Sequence, residues 1–559
     1  MNIAFHDVQI GSTNPTDMYT DARLPLLGSR LRTVLEAKRM PLGRRLLVEN
    51  HRAHEKSLAP RPASSALPSR RFTIPFSLEH RMATQAERTF SFPPENDAAW
   101  QQYVEDFRRS GHLTVDWIAR YLSHVREYPV LARTKPGELI DALPARGPDH
   151  GEKFDDMLRD FQEIVLPAVT HWNHPGFFAY FACTGSTPAI LGEMLAAALN
   201  TNGLHWKTSP AVAELEVVAL GWLRQWMNLP DDFFGIVYDT ASVSSFHAIC
   251  AAREKFDPTA RENGHPAGLV LYTSEQSHSS IEKGAIAAGV GQTNVRKIPV
   301  DSAFRMNVDA LRDAIERDKA AGLKPFCVVA TLGTTSSTSV DPINEIADLC
   351  AKHNLWLHAD MAYAGICAIL PEYRDTFAGI ERTDSIVVNP HKWLMTPIDL
   401  SAFYTRHPDI LARAFSLTSE YLRTTEDPRA HNLMDYGVPL GHRFRSLKFW
   451  FVLRYFGLEG FRAILRSHNA LAQEFAEWVQ EDPRFELSAP VPFSTVCFRY
   501  IGTDKENHAL IEQANASGKI FISHTNLSGK IVLRLAIGNL GTRKEDVQNA
   551  WAIIQQAAG

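Results

Sequence analysis

The strongest constraint on the fold is an alternation of short apolar runs with amphipathic helical patterns between about residues 166 and 415. Four of the runs predict strands, at Leu269–Thr273, Cys327–Ala330, Leu355–His358 and Ile386–Val388. A helical pattern over Pro342–His353 separates two of them, with apolar residues recurring every three or four positions. Such alternation is typical of parallel strands joined by right-handed crossovers. We therefore predict an α/β fold with a mostly parallel central sheet flanked by helices.

The segments before this region predict two further parts of the chain. Residues 1–81 are rich in Arg, Pro, Ser and Ala with little periodicity, which predicts a disordered or non-native extension. Translation that starts at Met82 is the alternative for this stretch. Residues 82–165 predict a helical arm with two amphipathic helices, one starting near Asp97 and one after Gly111. Because prolines interrupt the arm, we expect its apolar stripes to pack on a partner subunit.

Residues 416–559 predict a mobile loop followed by a small α+β C-terminal domain. The loop is the stretch Thr418–His431, which is charged and poor in core-forming residues. The other predicted elements are the helices Arg443–Tyr455, Asn469–Val479 and Glu545–Ile554 and the strands Thr495–Tyr500 and Lys530–Ala536. The chain is thus predicted to comprise an extension, an arm, a large domain over 166–415 and a small domain.

The charge balance and the cysteines exclude several classes of protein. The formal net charge is -5, so the chain has no basic footprint for nucleic acid. Its six cysteines are scattered without a CxxC pair, so we expect neither a metal site nor a disulfide framework. The sequence contains no apolar run of about 18 residues, and its N-terminus lacks the charged-then-apolar order of a secretory signal. We expect a soluble protein of the cytoplasm.

Polar side chains follow several of the predicted strands. They are His278, Thr335, Asp360 and the turn Asn389–Lys392. In open parallel sheets, ligands bind beyond the carboxyl ends of the strands. The sequence therefore predicts that these residues meet at one edge of the sheet.

The lysine and the aspartate suggest a particular chemistry at this edge. A lysine at the end of a buried strand is partly desolvated, which lowers its pKa and frees the amine to form a Schiff base. Asp360 is a strand-end carboxylate with no cation in its own motif, so a cofactor with a protonated ring nitrogen would suit it. Pyridoxal phosphate is such a cofactor, and the small Ala362 would let its flat ring approach. Taken alone, Lys392 fits an outward-pointing lysine and Asp360 fits a helix N-cap.

Two further features fit the same cofactor. Ala241 and Ser242 open a helical run in a segment rich in small hydroxyl residues, where backbone amides would bind a phosphate. A plain N-cap explains these residues equally well. The imidazole of His278 could stack on a ring and move a proton, although a lone histidine in a polar turn can also be merely solvated.

These stretches, with others, resemble the group II pyridoxal-phosphate-dependent amino-acid decarboxylases, close to the aromatic-L-amino-acid decarboxylases. The matching motifs are His171–Phe181, Ser209–Glu216, Thr331–Thr335, His358–Gly365, Asn389–Trp393 and Pro439–Lys448. The resemblance implies a fold-type I enzyme with pyridoxal 5'-phosphate as its cofactor. It also implies a homodimer whose active sites lie at the subunit interface.

The resemblance implies a role for each matching residue. Lys392 would hold the cofactor as a Schiff base, Asp360 would pair with the ring nitrogen and His278 would stack on the ring. The other cofactor contacts would come from Ala241, Ser242, Thr335, Ala362, Asn389 and His391. The substrate pocket would be lined by Trp172, Tyr180, Phe181 and Cys183, with Asn202 and Leu204 in a wall contributed by the partner subunit and Gly441 leaving room for an aromatic side chain.

The predicted loop contains Tyr421, which falls where the family carries the tyrosine that protonates the substrate carbon. Relatives that make aldehydes oxidatively tend to have phenylalanine there or to lack the stacking histidine. With Tyr421 and His278 both present, the sequence favours simple decarboxylation of an aromatic L-amino acid of the Trp, Tyr, Phe or dopa type. Cys183 and Asn202 depart from the aromatic enzymes. The alternatives are an aldehyde synthase, a decarboxylase of another amino acid such as His, and a cofactor-binding protein without turnover.

Overall fold

The computed structural model describes residues 94–181, 183–417 and 429–559. Its larger sheet has seven strands. In chain order they are β1 (Phe234–Tyr238), β2 (Leu269–Ser274), β3 (Val295–Ile298), β4 (Lys324–Thr331), β5 (Trp356–Asp360), β6 (Ser385–Val388) and β7 (Ser401–Thr405). Across the sheet they run β1-β7-β6-β5-β4-β2-β3. The pairs among β2 to β6 are parallel, and β7 is antiparallel to both of its neighbours. The predicted α/β fold with a mostly parallel sheet is confirmed.

The central strands are apolar because helices cover both faces of the sheet. All residues of β2, β5 and β6 are buried, as parallel strands between two helical layers require. One hydrophobic core lies on each face, and the two contain Val328 and Val329 respectively, which are neighbours along β4. The alternation of side chains along the strand therefore supplies both cores.

The helices of this part of the structure are mostly short and amphipathic. They are α1 (Asp97–His124), α2 (Glu138–Ala142), α3 (Phe154–Asp160), α4 (Thr187–Leu199), α5 (Pro210–Trp226), α6 (Ala241–Phe256), α7 (Ala260–Asn263), α8 (Ser279–Ala287), α9 (Val308–Ala320), α10 (Ile343–His353), α11 (Pro390–Trp393) and α12 (Pro408–Phe415). The predicted helix over Pro342–His353 is α10, with Pro342 in the N-cap position.

The arm differs from its prediction. The two helices predicted near Asp97 and after Gly111 are one continuous helix, α1, capped by the Asn96 side chain, which accepts a hydrogen bond from the amide of Ala99 at 3.0 Å. A glycine inside a helix costs only about 1 kcal/mol, which the remaining turns can absorb. Gly111 therefore does not end the helix.

The C-terminal part contains a second, antiparallel sheet. Its strands are β8 (Phe485–Leu487), β9 (Thr495–Tyr500), β10 (Ser523–Leu527) and β11 (Lys530–Ala536), in the order β10-β11-β9-β8. The predicted bounds of β9 and β11 are confirmed. Three helices accompany the sheet, namely α13 (Arg445–Glu481), α14 (Asp504–Ala516) and α15 (Lys544–Ala557). Their core is separate from those of the large sheet and is rich in aromatic rings.

The label α13 covers two helices that meet at a kink. Helical geometry breaks at Gly457, where φ is 62°, and the helices predicted at Arg443–Tyr455 and Asn469–Val479 lie on either side of this residue, so both are confirmed. Helical geometry resumes beyond the glycine, so both halves share one label.

Some predictions fall outside the described residues. These are the extension over 1–81, the start at Met82 and Tyr421 with most of its loop. The boundary between a large and a small domain stays a prediction, because the described residues pack as one compact unit. Of the helices in the described ranges, none has the length and apolar character needed to cross a membrane.

Candidate active site

Lys392 lies beyond the end of β6, where the chain leaves the sheet. Asn389 and Pro390 stop the strand, and Pro390 occupies the first turn of the short helix α11. The Lys392 amide donates to the Asn389 carbonyl at 2.9 Å, which turns the side chain back toward the sheet edge. Its Nζ lies 5.1 Å from the centroid of the Phe181 ring. The amine is therefore held against an aromatic wall.

The surroundings of Lys392 lower the pKa of its amine. Desolvation is the main cause, and the buried positive charge of Arg534 adds to it. The Asp360 carboxylate opposes this shift because it favours the ammonium form. The net result is an amine that loses its proton more readily than a lysine in water, as nucleophilic attack on a carbonyl requires.

Asp360 is the last residue of β5, next to Lys392 across the sheet edge. Its carboxylate is buried, and its Oδ1 accepts a hydrogen bond from the Ala362 amide at 3.1 Å. No hydrogen bond from the described part of the chain reaches its other oxygen. The carboxylate interacts electrostatically with Lys392 and with His278. A buried carboxylate with a free oxygen can receive a proton-bearing ring nitrogen.

His278 caps the helix α8 with its own imidazole. The Nδ1 atom accepts from the Ser280 amide at 3.2 Å and contacts the Ser280 hydroxyl at 2.8 Å. Desolvation lowers the pKa of the ring, with Lys392 adding to this effect and Asp360 opposing it. The residue is exposed, so the neutral imidazole is available to a ligand at the sheet edge.

The start of α6 and the turn after β6 offer groups for an anion. Thr240 is the N-cap of α6 but makes no side-chain capping bond, and the first amides of a helix have no acceptor within it. Ala241 and Ser242 are the first two residues of this helix. Asn389 contributes a side-chain amide whose buried Oδ1 has no hydrogen-bond partner within the described ranges, and the NH2 group of such an amide can donate to an anion. Together these groups form a polar cradle beside the lysine.

His391 is a second neutral histidine in the turn. Its Nδ1 accepts a hydrogen bond from the Leu400 amide at 3.0 Å. Desolvation, helped by the neighbouring Lys392, lowers its pKa to about 4. With Nδ1 engaged, the proton resides on Nε2, which can donate to an anion.

Aromatic rings form the wall opposite the lysine. Phe181 is buried and stacks on Tyr363 with 3.7 Å between the ring centroids. Tyr180 is 54% exposed and stacks on Trp172 at 5.9 Å. Cys183 follows on the same segment, and burial raises the pKa of its thiol while Lys392 opposes the rise. The predicted pocket residues Trp172, Tyr180, Phe181 and Cys183 thus share one segment.

A second group of predicted residues lies together but is not linked to Lys392. The Asn202 side chain accepts from the His442 amide at 2.9 Å, which sets it beside Gly441. The Leu204 carbonyl accepts from the Met434 amide at 2.9 Å. Within the described ranges, no hydrogen bond or ring contact joins these residues, or Thr335, to the lysine.

Sequence reasoning missed three residues that contact this site. Arg534 lies with its guanidinium 4.3 Å from the Phe181 ring centroid. Tyr363 stacks on Phe181, and His358 lies on the same face of β5 as Asp360, bonded through Nδ1 to Ser385 at 2.9 Å. An arginine in the middle of the apolar strand β11 was the one signal available.

The chain is similar to several known proteins. The family model "Pyridoxal-dependent decarboxylase conserved domain" matches residues 136–501. The chain is 41% identical to phenylacetaldehyde synthase of Arabidopsis thaliana, over 81% of this chain and 96% of that protein. It is 40% identical to aromatic-L-amino-acid decarboxylase of Cavia porcellus, over 81% of this chain and 98% of that protein. The crystal structure of Oryza sativa TDC with PLP and tryptamine superposes with a TM-score of 0.79 at 37% identity, covering 84% and 99% of the two chains.

Proposed function

The chain belongs to the family of pyridoxal-dependent decarboxylases, and on that premise we propose that it converts an aromatic L-amino acid to the corresponding amine and CO2. Its cofactor is pyridoxal 5'-phosphate, and it is a carboxy-lyase with the architecture of fold-type I enzymes. The observation that carries the proposal is the meeting of the Lys392 amine, the Asp360 carboxylate and the Phe181 ring at one sheet edge.

The residues at the sheet edge fit this cofactor. The orphaned Oδ1 of Asn389 marks a buried amide that lacks a partner, and a phosphate could engage that amide through its Nδ2 group. We assign the phosphate to Ala241, Ser242, Asn389 and His391, and the ring nitrogen to Asp360. His278, Ala362 and Thr335 would contact the ring. Lys392 would hold the aldehyde carbon.

Each part of the chain then has a defined task. When bound, pyridoxal phosphate supplies an electron sink for the pair left by the departing carboxyl group. The Asp360 carboxylate would hold the protonated ring nitrogen, and the His278 imidazole would contact the ring. Lys392 Nζ would hold the cofactor covalently. The hydroxyl of Tyr421 delivers a proton to the substrate Cα atom.

The aromatic residues near Lys392 indicate the class of substrate. Trp172, Tyr180 and Phe181 all take part in stacked ring pairs, and such pairs favour an aromatic side chain by about 0.5–1.5 kcal/mol per ring pair beyond area burial. Gly441 leaves space beside Asn202, where the contact distance of an added Cβ would be 3.6 Å. An aromatic L-amino acid fits these features better than a charged one.

An oxidative aldehyde synthase is the second candidate. The observation that favours it is the 41% identity to phenylacetaldehyde synthase over 81% of the chain. Both candidates use the same cofactor and lose the same carboxyl group. They differ in whether the carbon is protonated or oxidised, and the presence of Tyr421 supports protonation.

Product stoichiometry distinguishes the two candidates. The holoenzyme is incubated in air with Trp, Tyr, Phe or dopa, and CO2, amine, aldehyde and peroxide are measured together. A decarboxylase gives amine and CO2 in a 1:1 ratio without peroxide. Peroxide and aldehyde in amounts equal to CO2 would show an aldehyde synthase instead. Cofactor binding without CO2 release from any of these substrates would refute both.

A homodimer completes this proposal. The exposed side chains of α4 include Leu191, Leu195 and Leu199, and α1 exposes Phe107 at 68%. Apolar surfaces of this kind require a covering partner. The helix α4 ends at Leu199, three residues before Asn202, so a partner that covers this helix would lie close to the group of Asn202, Leu204 and Gly441, which could then reach the site of a second copy.

We also include a cytoplasmic location in the proposal. All six cysteines are free thiols in the structure, and five of them are buried. Proteins of reducing compartments keep their cysteines in this form.

A further inference from the structure

Arg534 is a buried arginine without an acidic partner. It lies in the middle of β11 and is 3% exposed. Its Nε donates to the Ser336 carbonyl at 3.2 Å, and Nη1 donates to the Tyr180 carbonyl. Within the described ranges, Nη2 has no hydrogen-bond partner and no carboxylate forms an ion pair with the guanidinium. Burying a charged group without an oppositely charged partner lowers the stability of the fold, so a functional role would explain why the arginine is present.

The guanidinium lies against the aromatic wall of the site. Its Cζ is 4.3 Å from the Phe181 ring centroid, within the range of a cation–π contact. The Lys392 amine lies 5.1 Å from the same centroid. The Phe181 ring therefore lies against both the Arg534 guanidinium and the Lys392 amine. The position of the ring relative to the amine depends on its contact with Arg534.

The hydrogen bond to Tyr180 restrains a strained part of the backbone. Tyr180 has a φ of 51°, in the left-handed region that bulky residues rarely adopt. Its amide donates to the Ser523 hydroxyl at 3.3 Å, and its carbonyl accepts from Arg534. Both restraints come from the small sheet, through β10 and β11. A residue keeps a strained backbone conformation only where the contacts around it hold it in place.

We propose that Arg534 is a positioning residue, which fixes the Tyr180–Phe181 segment against the Lys392 amine and so sets the aromatic wall for the substrate. This inference rests on the proposed function for the identity of the substrate. Arg534 acts through Phe181 and Tyr180 and does not itself touch the reacting atoms. The role requires both the several N–H donors of the guanidinium and its flat face, which lies against the Phe181 ring. A lysine side chain has neither.

The neighbouring strand offers a matched control. Arg499 in β9 is buried to a similar degree and also donates to backbone carbonyls, at Gly502 and Ile531. Unlike Arg534, it is paired with Asp504 at 3.2 Å. Arg499→Gln therefore disturbs the same sheet without disturbing the Phe181 wall.

A double-mutant cycle tests the proposal on the holoenzyme. The variants are Arg534→Gln, Phe181→Leu and the pair together, with Arg534→Lys and Arg499→Gln alongside. For each, the dissociation constant for phenethylamine is measured by calorimetry, and KM and kcat for the aromatic amino acid are measured separately. We expect Arg534→Gln to raise the dissociation constant and KM roughly tenfold, with a smaller change in kcat. In the Phe181→Leu background the same change should have less than a twofold effect.

A second readout does not depend on turnover. Because the charge of Arg534 favours the neutral amine of Lys392, Arg534→Gln should move the pH midpoint for capture of pyridoxal phosphate by the apoenzyme upward. Arg534→Lys should restore this midpoint but not the phenethylamine affinity. Arg499→Gln should change neither value.

The outcomes separate this inference from the proposed function. If the effects of Arg534→Gln and Phe181→Leu on the dissociation constant simply multiplied in the double variant, the positioning role would be overturned. A loss of affinity in Arg499→Gln equal to that in Arg534→Gln would also overturn it. Suppose that Arg534→Gln weakens phenethylamine binding only when Phe181 is present, while the unaltered enzyme releases no CO2. That result would refute the proposed function and leave the positioning role standing. If the unaltered holoenzyme bound no phenethylamine, the aromatic wall and the inference would both be wrong.

Discussion

At the scale of single residues, the reactivity of Lys392 results from two opposing influences. Desolvation lowers its pKa, and the nearby Asp360 carboxylate limits the fall. The same carboxylate has an oxygen to offer to a ring nitrogen. Asp360 therefore limits the fall in the pKa of the free Lys392 amine before the cofactor binds. Once the cofactor is bound, the same carboxylate would pair with its ring nitrogen.

The pH dependence of cofactor capture tests this tuning. Only the neutral amine attacks an aldehyde, so the capture rate of pyridoxal phosphate by the apoenzyme should rise with pH through the pKa of Lys392. Because that pKa is lowered, the midpoint should lie below the ordinary lysine value of about 10.4. Asp360→Asn removes the charge that favours the ammonium and should move the midpoint lower still. A midpoint at or above 10.4 would contradict the account.

The role of Tyr421 gives a second prediction at this scale. Tyr421→Phe removes the proposed proton donor, so the rate of amine formation should fall by about 10²-fold or more, in the range expected for loss of a general acid. Aldehyde and peroxide should increase in its place. Tyr455→Phe alters a surface tyrosine that is 67% exposed and should leave the product ratio unchanged. An unchanged amine yield in Tyr421→Phe would rule out this residue as the donor.

Sequence reasoning succeeded for residues whose role follows from a strand end and failed for those defined by distant contacts. Lys392 and Asp360 follow apolar runs, so their place at the sheet edge was predictable. Arg534 contacts Tyr180, which is 354 positions away along the chain. No local pattern encodes such a pairing, and only the charge within an apolar strand marked it.

At the scale of elements, α13 joins two helical halves through a single unusual residue. Gly457 has φ 62° and ψ 173°, a combination that only glycine adopts without strain. The sequence indicated both halves by their apolar periodicity. It did not indicate that the two helices meet at a kink, because a glycine can end a helix or interrupt it. The strands β8 and β10 were missed because β8 is very short and β10 is a polar strand at the edge of its sheet.

Substitution at the interruption has a predictable cost. Gly457→Ala forces a Cβ atom into the strained conformation and should lower the free energy of unfolding by roughly 1–3 kcal/mol. Gly460→Ala, three residues further along α13, should be neutral or stabilise by up to about 1 kcal/mol. Urea denaturation of the two variants measures the difference. Equal midpoints would show that the kink is not required.

At the scale of the whole molecule, the exposed apolar side chains of α1 and α4 predict self-association. Phe107→Asp combined with Leu195→Asp places a charge on each of these two helices and should give a monomer in sedimentation velocity. Activity should fall at least tenfold, because the Asn202 group would no longer reach a neighbouring site. Ile501→Asp, at a residue that is 56% exposed in the C-terminal part of the chain, should leave a dimer. A dimer that persists in the double variant would exclude this face as the interface.

The central claim is that Lys392 holds the cofactor at the edge of the parallel sheet. Borohydride reduction of the holoenzyme, followed by proteolysis and mass spectrometry, tests it directly. We expect one pyridoxyl group per chain, on the peptide that contains Lys392, and none in Lys392→Ala. A stable label on any other lysine, or an undiminished label in Lys392→Ala, would contradict it.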